Sequence, residues 1–314
     1  MCEQETYYLI HDISEFESDS LEQLGTKSKF WYEDNGEELL FKSVKSNAGL
    51  RLGEDWAEKI CCELAELLGL PHAHYELAIH DGIRGVITKN FIKKNFAIQR
   101  AEYLITGNEL LQSYIGSDND VNPNLQYIDH IYLVMTEKVI GKPINFGSFK
   151  NIKNASEFFV GYLMFDVLVS NQDRHNENWG MIVTIKGDNH LAPSYDHGAS
   201  LARNESDETR SIRLKSEDKG RQIPTYIRKA KSQFQDPTTK KRLKLLEAFR
   251  QYGLMEKEAA IAWLDRLESL SYSDIKLIVD KVPSELMSDL AKEFTYELII
   301  CNKTNLLDLY GEFL

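Results

Sequence analysis

Asp173 and Asn178 stand five residues apart in the run Asp173-Arg-His-Asn-Glu-Asn178, and a further acid follows in Tyr195-Asp196-His197-Gly198. Two carboxylates and an amide at such separations are the side chains that phosphoryl transfer from ATP calls for. One acid orients the attacking hydroxyl and accepts its proton, while the amide and the second acid hold Mg2+ on the phosphates. Asp173 falls just past an apolar helical run that ends near Ser170, in a loop from which a carboxylate can reach a substrate hydroxyl. The amide oxygen of Asn178 is a neutral hard ligand suited to Mg2+. Asp196 follows an expected strand, and Gly198 permits the turn that aims it. Singly, each has a plain structural explanation, as a capping or turn residue that bonds its own backbone. At these spacings the three together point to catalysis. His175 is expected to hold the shape of the loop, and Arg174 has two open partners, a phosphate or a neighbouring acid.

Two more charged groups complete the set. Lys42 ends the apolar run Leu39-Leu-Phe-Lys42, where a lysine can reach the α and β phosphates. Such a lysine needs a partner acid on the following helix. Glu58 sits beside that helix's apolar stripe and can face the cleft, whereas Glu66 points away from it. Without those partners they read as a surface lysine and a helix-surface acid. There is no GxGxxG loop. Gly25-Thr26-Lys27-Ser28-Lys29 lies where a phosphate-cradling loop would lie, with backbone N–H groups and Lys29 facing the phosphates. Its bland alternative is an ordinary surface turn.

These groups need a scaffold, and the pattern of the chain supplies one. Tyr7–Ile10, Phe30–Tyr32 and Leu39–Lys42 read as short strands, with Asp34-Asn35-Gly36 as a hairpin turn between the last two. Apolar residues at 57, 60, 61, 64, 65 and 68 have helical spacing, and Gly69 and Pro71 end that helix. Two further strands, Tyr75–Ile79 and Gly85–Thr88, flank a turn at Asp81-Gly82. Lys93-Lys94-Asn95 reads as a connector. Beyond it the spacing predicts helices over Ile128–Glu137, Ala155–Ser170, Lys240–Tyr252, Glu256–Ser269 and from Pro283 onward. A β interruption is expected at Gly180–Val183 and His190–Pro193. The expected fold is therefore α+β and bilobal, like a protein kinase. A small β-rich lobe with one helix spans residues 1–91, and a large, mainly helical lobe spans 92–314. The second lobe would carry the catalytic loop at 171–178 and the metal-binding segment at 194–198. Architecture of this kind is also compatible with many other functions.

The formal charge of −12 argues against direct binding of nucleic acid or of an anionic membrane. The charge is unevenly spread: between Glu205 and Arg250, thirteen Lys/Arg face seven Asp/Glu. That stretch is either a solvated helical face or a docking patch for an acidic partner. The four cysteines form no CxxC pair, and adjacent Cys61-Cys62 suits neither a zinc site nor an easy disulfide. Reduced thiols in a cytoplasmic protein are the simplest account. The N-terminus lacks the basic and apolar regions of a signal peptide. The longest apolar run, Phe158 to Val169, is broken by Asp166 and is too short to span a bilayer.

Asp173-Arg-His-x-x-Asn178 with Pro193-x-Tyr-Asp196-x-Gly198 resembles the HipA-like serine/threonine kinases, most of all the compact branch of HipT- and CtkA-type proteins. Gly25-x-x-x-Lys29, Leu40-Phe-Lys42, and Glu58 ten residues before Leu68-Gly69-Leu70 agree with it, as does Lys89-Asn90-Phe91. The resemblance covers roughly Leu24 to Leu201. It implies Asp173 as catalytic base, Asn178 and Asp196 as Mg2+ ligands, and Lys42 as the phosphate-binding lysine. It also implies that Lys89, Asn90 and Phe91 meet adenine, mainly through backbone. Family members phosphorylate protein Ser/Thr, in some cases on aminoacyl-tRNA synthetases, and often phosphorylate themselves on a loop hydroxyl. Thr26 and Ser28 are the hydroxyls nearest the expected phosphate loop. The substrate expected is thus a protein such as a synthetase or another translation factor. An inhibitory antitoxin is a partner of long-form members, which contact it through an extra N-terminal subdomain. The stretch before Gly25 is expected to be too short for that subdomain, so the resemblance by itself does not carry antitoxin binding over to this chain. The implied location is the cytoplasm, of the producing cell or of another cell to which the protein is delivered.

Two other functions fit the same residues. A phosphoinositide-type lipid kinase carries a similar Asp-Arg-His-x-x-Asn loop, though small size, acidity and the lack of a membrane-binding segment speak against it. A nucleotide-binding module without catalysis is the other, and the intact set of Lys42, Asp173, Asn178 and Asp196 speaks against that.

Overall fold

Two tight turns set the first sheet. Asn35 and Gly36 both have positive φ (50° and 79°), as do Asp81 and Gly82 (49° and 76°), which is the backbone that two-residue hairpins of matching twist require. The structure is a computed structural model that describes residues 7–16, 20–21, 27–46, 49–50, 52–95, 100–115 and 125–314. Its first sheet contains β1 (Ile10–Asp12), β2 (Ser20–Leu21), β3 (Lys27–Asp34), β4 (Glu37–Ser46), β5 (Gly49–Leu50), β6 (Tyr75–His80) and β7 (Ile83–Lys89). Their order is β1-β6-β7-β4-β3-β2, with β5 on β4, and only the β1-β6 pair is parallel. Side chains alternate across the strands. Phe30, Tyr32, Leu39, Phe41, Ala78 and Ile87 form a cluster on one face. Lys42 therefore points to the other face, onto which helix α1 (Glu54–Leu68) packs. Gly69, at φ 65°, ends α1 and caps it by donating its N–H to the carbonyls of Ala65 and Glu66.

The rest is mainly helical. β8 (Lys94–Asn95) and β9 (Arg100–Ala101) form a small ribbon, and β10 (Tyr103–Thr106) leads into α2 (Gly107–Ile115). β11 (Gln126–Tyr127) and α3 (Ile128–Val134) precede α4 (Ala155–Leu168). After it come β12 (Gly180–Val183), β13 (Asn189–Leu191), α5 (Asp207–Lys215), α6 (Ile223–Ile227), β14 (Lys231–Gln235) and β15 (Arg242–Lys244). The chain finishes with α7 (Leu245–Met255), α8 (Lys257–Ser269), α9 (Tyr272–Asp280), α10 (Asp289–Leu307) and α11 (Tyr310–Phe313). The core centres on α4, buried on every side except at Glu157 and apolar nearly all round its circumference. Asn154 and Glu157 cap its start reciprocally. The same core takes in Ile60, Leu64 and Leu68 of α1, so that helix is buried against the sheet on one side and the helices on the other. No described helix is long and apolar enough to cross a membrane.

The α+β class is thus as expected, with a β-rich N-terminal part and a helical C-terminal part. Some elements differ. The first strand is Ile10–Asp12, not Tyr7–Ile10, because its partner is the parallel edge of β6. Residues 240–244 are not helical: Lys240 has a φ of 58° in the turn between β14 and β15, and α7 starts only at Leu245. The helix expected over Ile128–Glu137 loosens into a π turn at Met135–Val139, which Ile140 ends at φ 57°. The connector at Lys94–Asn95 is itself one half of the small ribbon.

The packing of α4 against α8 is tight enough to test. A Cβ on Gly161 would stand 2.4 Å from the Trp263 ring. That indole is wholly buried and donates its Nε1–H to the Glu157 carbonyl at 2.8 Å. Gly161→Ala is expected to destabilise the protein by about 1–3 kcal/mol through overpacking, measured as a lowered urea midpoint.

Candidate active site

Lys42 leaves β4 on the α1 face and is only 6% exposed. Its ammonium donates to Glu58 Oε1 at 2.8 Å and also contacts Asp196 Oδ1. Burial alone would discharge the lysine, but the Asp196 and Glu58 carboxylates outweigh it and hold its pKa well above the ordinary value. Glu58, 1% exposed, uses its second oxygen to accept the His197 backbone N–H at 2.8 Å. One lysine and one glutamate therefore tie strand β4, helix α1 and the 194–198 segment together. Gly198 contributes by being small: a Cβ there would lie 3.2 Å from Glu58 Oε1 and 3.5 Å from Glu54 Cβ. The positive φ belongs to Asp196 itself, at 58°, a backbone that Asp tolerates better than most residues. The glycine thus permits close approach to α1, and Asp196 makes the turn. The Asp196 N–H is held by the Tyr75 hydroxyl at 3.3 Å.

The 171–178 loop hangs from a buried ion pair. Arg174 and Asp166 are each 2% exposed, and the guanidinium grips the carboxylate at two points, Nε to Oδ2 at 2.5 Å and Nη2 to Oδ1 at 2.7 Å. Burial opposes the charge on Arg174, and Asp166 outweighs it. The remaining donors run outward, Nη1 to the Asn178 carbonyl at 3.2 Å and Nη2 to Ser194 Oγ at 2.9 Å. Of its two possible partners, Arg174 therefore takes the acid. Asn171 receives the Asp173 N–H at 3.1 Å and donates its own amide to Asp166 at 2.8 Å. Asn178 donates Nδ2 to the Asp173 carbonyl at 2.8 Å, so its amide oxygen is the end not used to hold the loop. His175 accepts the Glu177 N–H on Nδ1 at 3.2 Å, and its carbonyl accepts the Asn178 N–H at 2.9 Å, a shape-holding pattern. His197 lies between Ser194 and Arg174 and stacks edge-on against Phe165.

Other expected site residues are placed as follows. Gly25 and Thr26 lie outside the described residues, and of Ser28 only the backbone, in β3, is described. Lys29 stands directly opposite Lys42 in the β3–β4 register, hence on the same face of the sheet. Lys89 ends β7 with its side chain on Glu37 at 2.6 Å. Asn90 gives its backbone N–H to the Glu38 carbonyl at 2.9 Å and its amide to the Glu38 carboxylate at 2.6 Å. Phe91 packs on Tyr195, ring centres 5.7 Å apart, beside Asp196. Two residues that position the site were missed from sequence. Asp166 was read only as a break in an apolar run, yet a lone acid in such a run must be paired. Tyr75 left no signal, since a tyrosine in a strand is ordinary.

Residues 22–267 match the model of the HipA-like C-terminal domain. The fold is similar to that of the Helicobacter pylori proinflammatory kinase CtkA, with a TM-score of 0.73 and 19% identity over 97% of this chain and 98% of that one. It is also similar to HipA of Shewanella oneidensis MR-1, solved with HipB and operator DNA, with a TM-score of 0.56 and 13% identity over 96% of this chain and 69% of that one. No curated protein sequence matches.

Removing one half of the buried pair strands the other. Arg174→Met is expected to cost about 3–5 kcal/mol of stability by leaving Asp166 uncompensated. Adding Asp166→Leu should recover part of that loss in a double-mutant cycle read by urea denaturation.

Proposed function

The chain belongs to the family of HipA-like C-terminal domains, and from that membership and the cleft geometry we propose that it is an ATP- and Mg2+-dependent protein serine/threonine kinase of toxin or effector type. The observation that carries this reading is the buried Lys42 ammonium between Glu58 and Asp196, which joins the sheet, α1 and the 194–198 segment at one point. A fixed cation held between two acids is what the phosphates of a nucleoside triphosphate with its metal need.

The donor set fits Mg2+. Asp196 and Asn178 offer hard oxygen ligands, and an exchangeable cation already lies against Asp196 in the form of Lys42. Magnesium bound by these two residues supplies charge neutralisation at the phosphate oxygens. Lys42, oriented by Glu58, binds the α and β phosphates, and Lys29 adds a second cation on the same face of the sheet. Asp173, fixed by Asn171 and by its carbonyl bond from Asn178, accepts the proton of the substrate hydroxyl. The 89–91 segment borders the adenine end, with Phe91 as an apolar wall and backbone groups of the segment as contacts.

The substrate in this reading is a serine or threonine of a protein, with an aminoacyl-tRNA synthetase or another translation factor as the favoured class. Self-phosphorylation falls on Thr26 or Ser28. An inhibitory antitoxin is the proposed partner, supported by the assembly of the Shewanella HipA with HipB. The proposed site of action is the cytoplasm.

Asp173→Ala is expected to lower transfer from ATP by about 10²- to 10⁴-fold with nucleotide affinity unchanged, measured with labelled ATP on the protein itself and on a cell extract. Wild-type rates in that variant overturn the role of Asp173, and labelling of phosphoinositide in place of protein points to a lipid kinase. Asp196→Asn should abolish the gain in nucleotide affinity that Mg2+ confers, seen as a loss of the difference between titrations with and without the metal. An unchanged Mg2+ effect overturns the ligand assignment.

A further inference from the structure

Cys62, His72 and His74 form a cluster whose ligand atoms all lie within 4.8 Å of one another. None belongs to the cleft just described. Cys62 sits on α1 one turn beyond Glu58, and the two histidines lie on the segment from the end of α1 into β6. Cys62 Sγ and His74 Nδ1 are 3.6 Å apart. A tetrahedral zinc ion with Zn–S near 2.3 Å and Zn–N near 2.0–2.1 Å needs a sulfur-to-nitrogen edge of about 3.6 Å.

The groups behind these three atoms also match. His72 donates from Nδ1 to the Leu70 carbonyl at 2.8 Å, which leaves Nε2 as its ligand atom. His74 has Nε2 against the Glu76 carboxylate at 2.7 Å, which leaves Nδ1 facing the sulfur. Glu76 is itself held by Lys59 at 2.7 Å. Cys62 Sγ accepts the Tyr75 backbone N–H at 3.3 Å. A carbonyl behind one imidazole, a carboxylate behind the other and an N–H on the sulfur are the outer contacts that orient metal ligands. Glu66, one turn past Cys62 on α1, has a carboxylate oxygen 3.7 Å from His72 Nε2 and can supply the fourth position in place of water. Cys62 is 2% exposed, whereas the His74 side chain is 55% exposed, which opens a path from solvent. Adjacent Cys61 takes no part. The sequence expectation that the cysteine pair suits no zinc site considered the cysteines alone, and the histidines come from a different segment.

We propose that Cys62 Sγ, His72 Nε2 and His74 Nδ1 bind one Zn2+ ion, with Glu66 or water completing the tetrahedron. The ion clamps α1 to the 70–75 segment. That segment is already joined to the 194–196 segment, through Ala73 N–H to the Ser194 carbonyl at 2.8 Å and Ser194 N–H to the Pro71 carbonyl at 2.9 Å. It thus braces, from behind, the two segments that carry Glu58 and Asp196. Without a metal, the Cys62 sulfur and His74 Nδ1 remain in hydrogen-bond contact. Burial pushes the Cys62 thiol up, but hydrogen bonds from His72 and His74 outweigh it and bring it to about 7.

Titration of the full-length, metal-stripped protein with Co2+ distinguishes the two. One equivalent is expected to give a thiolate-to-cobalt charge-transfer band with tetrahedral visible bands, which added Zn2+ displaces. Cys62→Ser should abolish the charge-transfer band, and Cys301→Ser should leave it intact. His74→Ala, at an exposed position that does not endanger folding, should weaken binding by at least about tenfold and remove the rise in melting temperature that Zn2+ gives the parent protein. No charge-transfer band at stoichiometric Co2+, or a band that survives Cys62→Ser, overturns the proposal. These readouts need neither ATP nor a substrate, so they stand apart from the kinase assignment.

Discussion

The buried pair of Asp166 and Arg174 is the constraint on which the cleft depends. Desolvating two charges is costly and is compensated only when their hydrogen bonds are complete. Here Arg174 meets that demand by reaching both carboxylate oxygens, the Asn178 carbonyl and Ser194. The donors that keep the charge satisfied are the same ones that fix the loop from Asp173 to Asn178 and the segment before Asp196. The helix that supplies Asp166 is buried along all but one of its residues, so the loops are referenced to a well-packed element. Fixed geometry of this kind suits a reaction whose catalysis is mainly positioning and electrostatics.

A second frame holds the other side of the cleft. α1 lies between the sheet and the helical core, and its polar residues face inward at Glu58 as well as its apolar ones at Ile60 and Leu64. Glu58 bonds at once to a strand lysine and to the backbone of the segment that follows Asp196. A displacement of α1 along its axis would therefore break contacts in both parts of the molecule together. Cys62, on the C-terminal half of α1, and the histidines of the segment that follows it lie where such a displacement would have to begin or end.

Much of this was legible in the chain. The two Asx-Gly turns announced their hairpins because positive φ at consecutive positions leaves few other residues. The pairing of Lys42 with Glu58 was readable because a strand-end lysine and an acid beside an apolar helix stripe need each other once buried. What was not legible depended on contacts between distant segments. Arg174 could not be assigned until Asp166, eight residues earlier in a helix, was seen to face it. The start of α7 was misplaced because a lysine-rich stretch scores as helix, while its real conformation is decided by pairing with β14. Parallel β1 pairs with a strand more than sixty residues away, and local pattern carries no trace of such a partner.

The ammonium of Lys42 has one further consequence. It is the counter-ion that lets Glu58 and Asp196 approach a common point, two like charges that otherwise repel. On the proposed function, an incoming triphosphate would have to take a share of that cation away from Asp196 while its own metal replaced what was taken. Nucleotide entry would then be an exchange of counter-ions around a constant local charge, with the lysine a place-holder first and a ligand after. Loss of activity on altering Lys42 would for that reason mix two effects, a weaker grip on phosphate and repulsion between the Glu58 and Asp196 carboxylates.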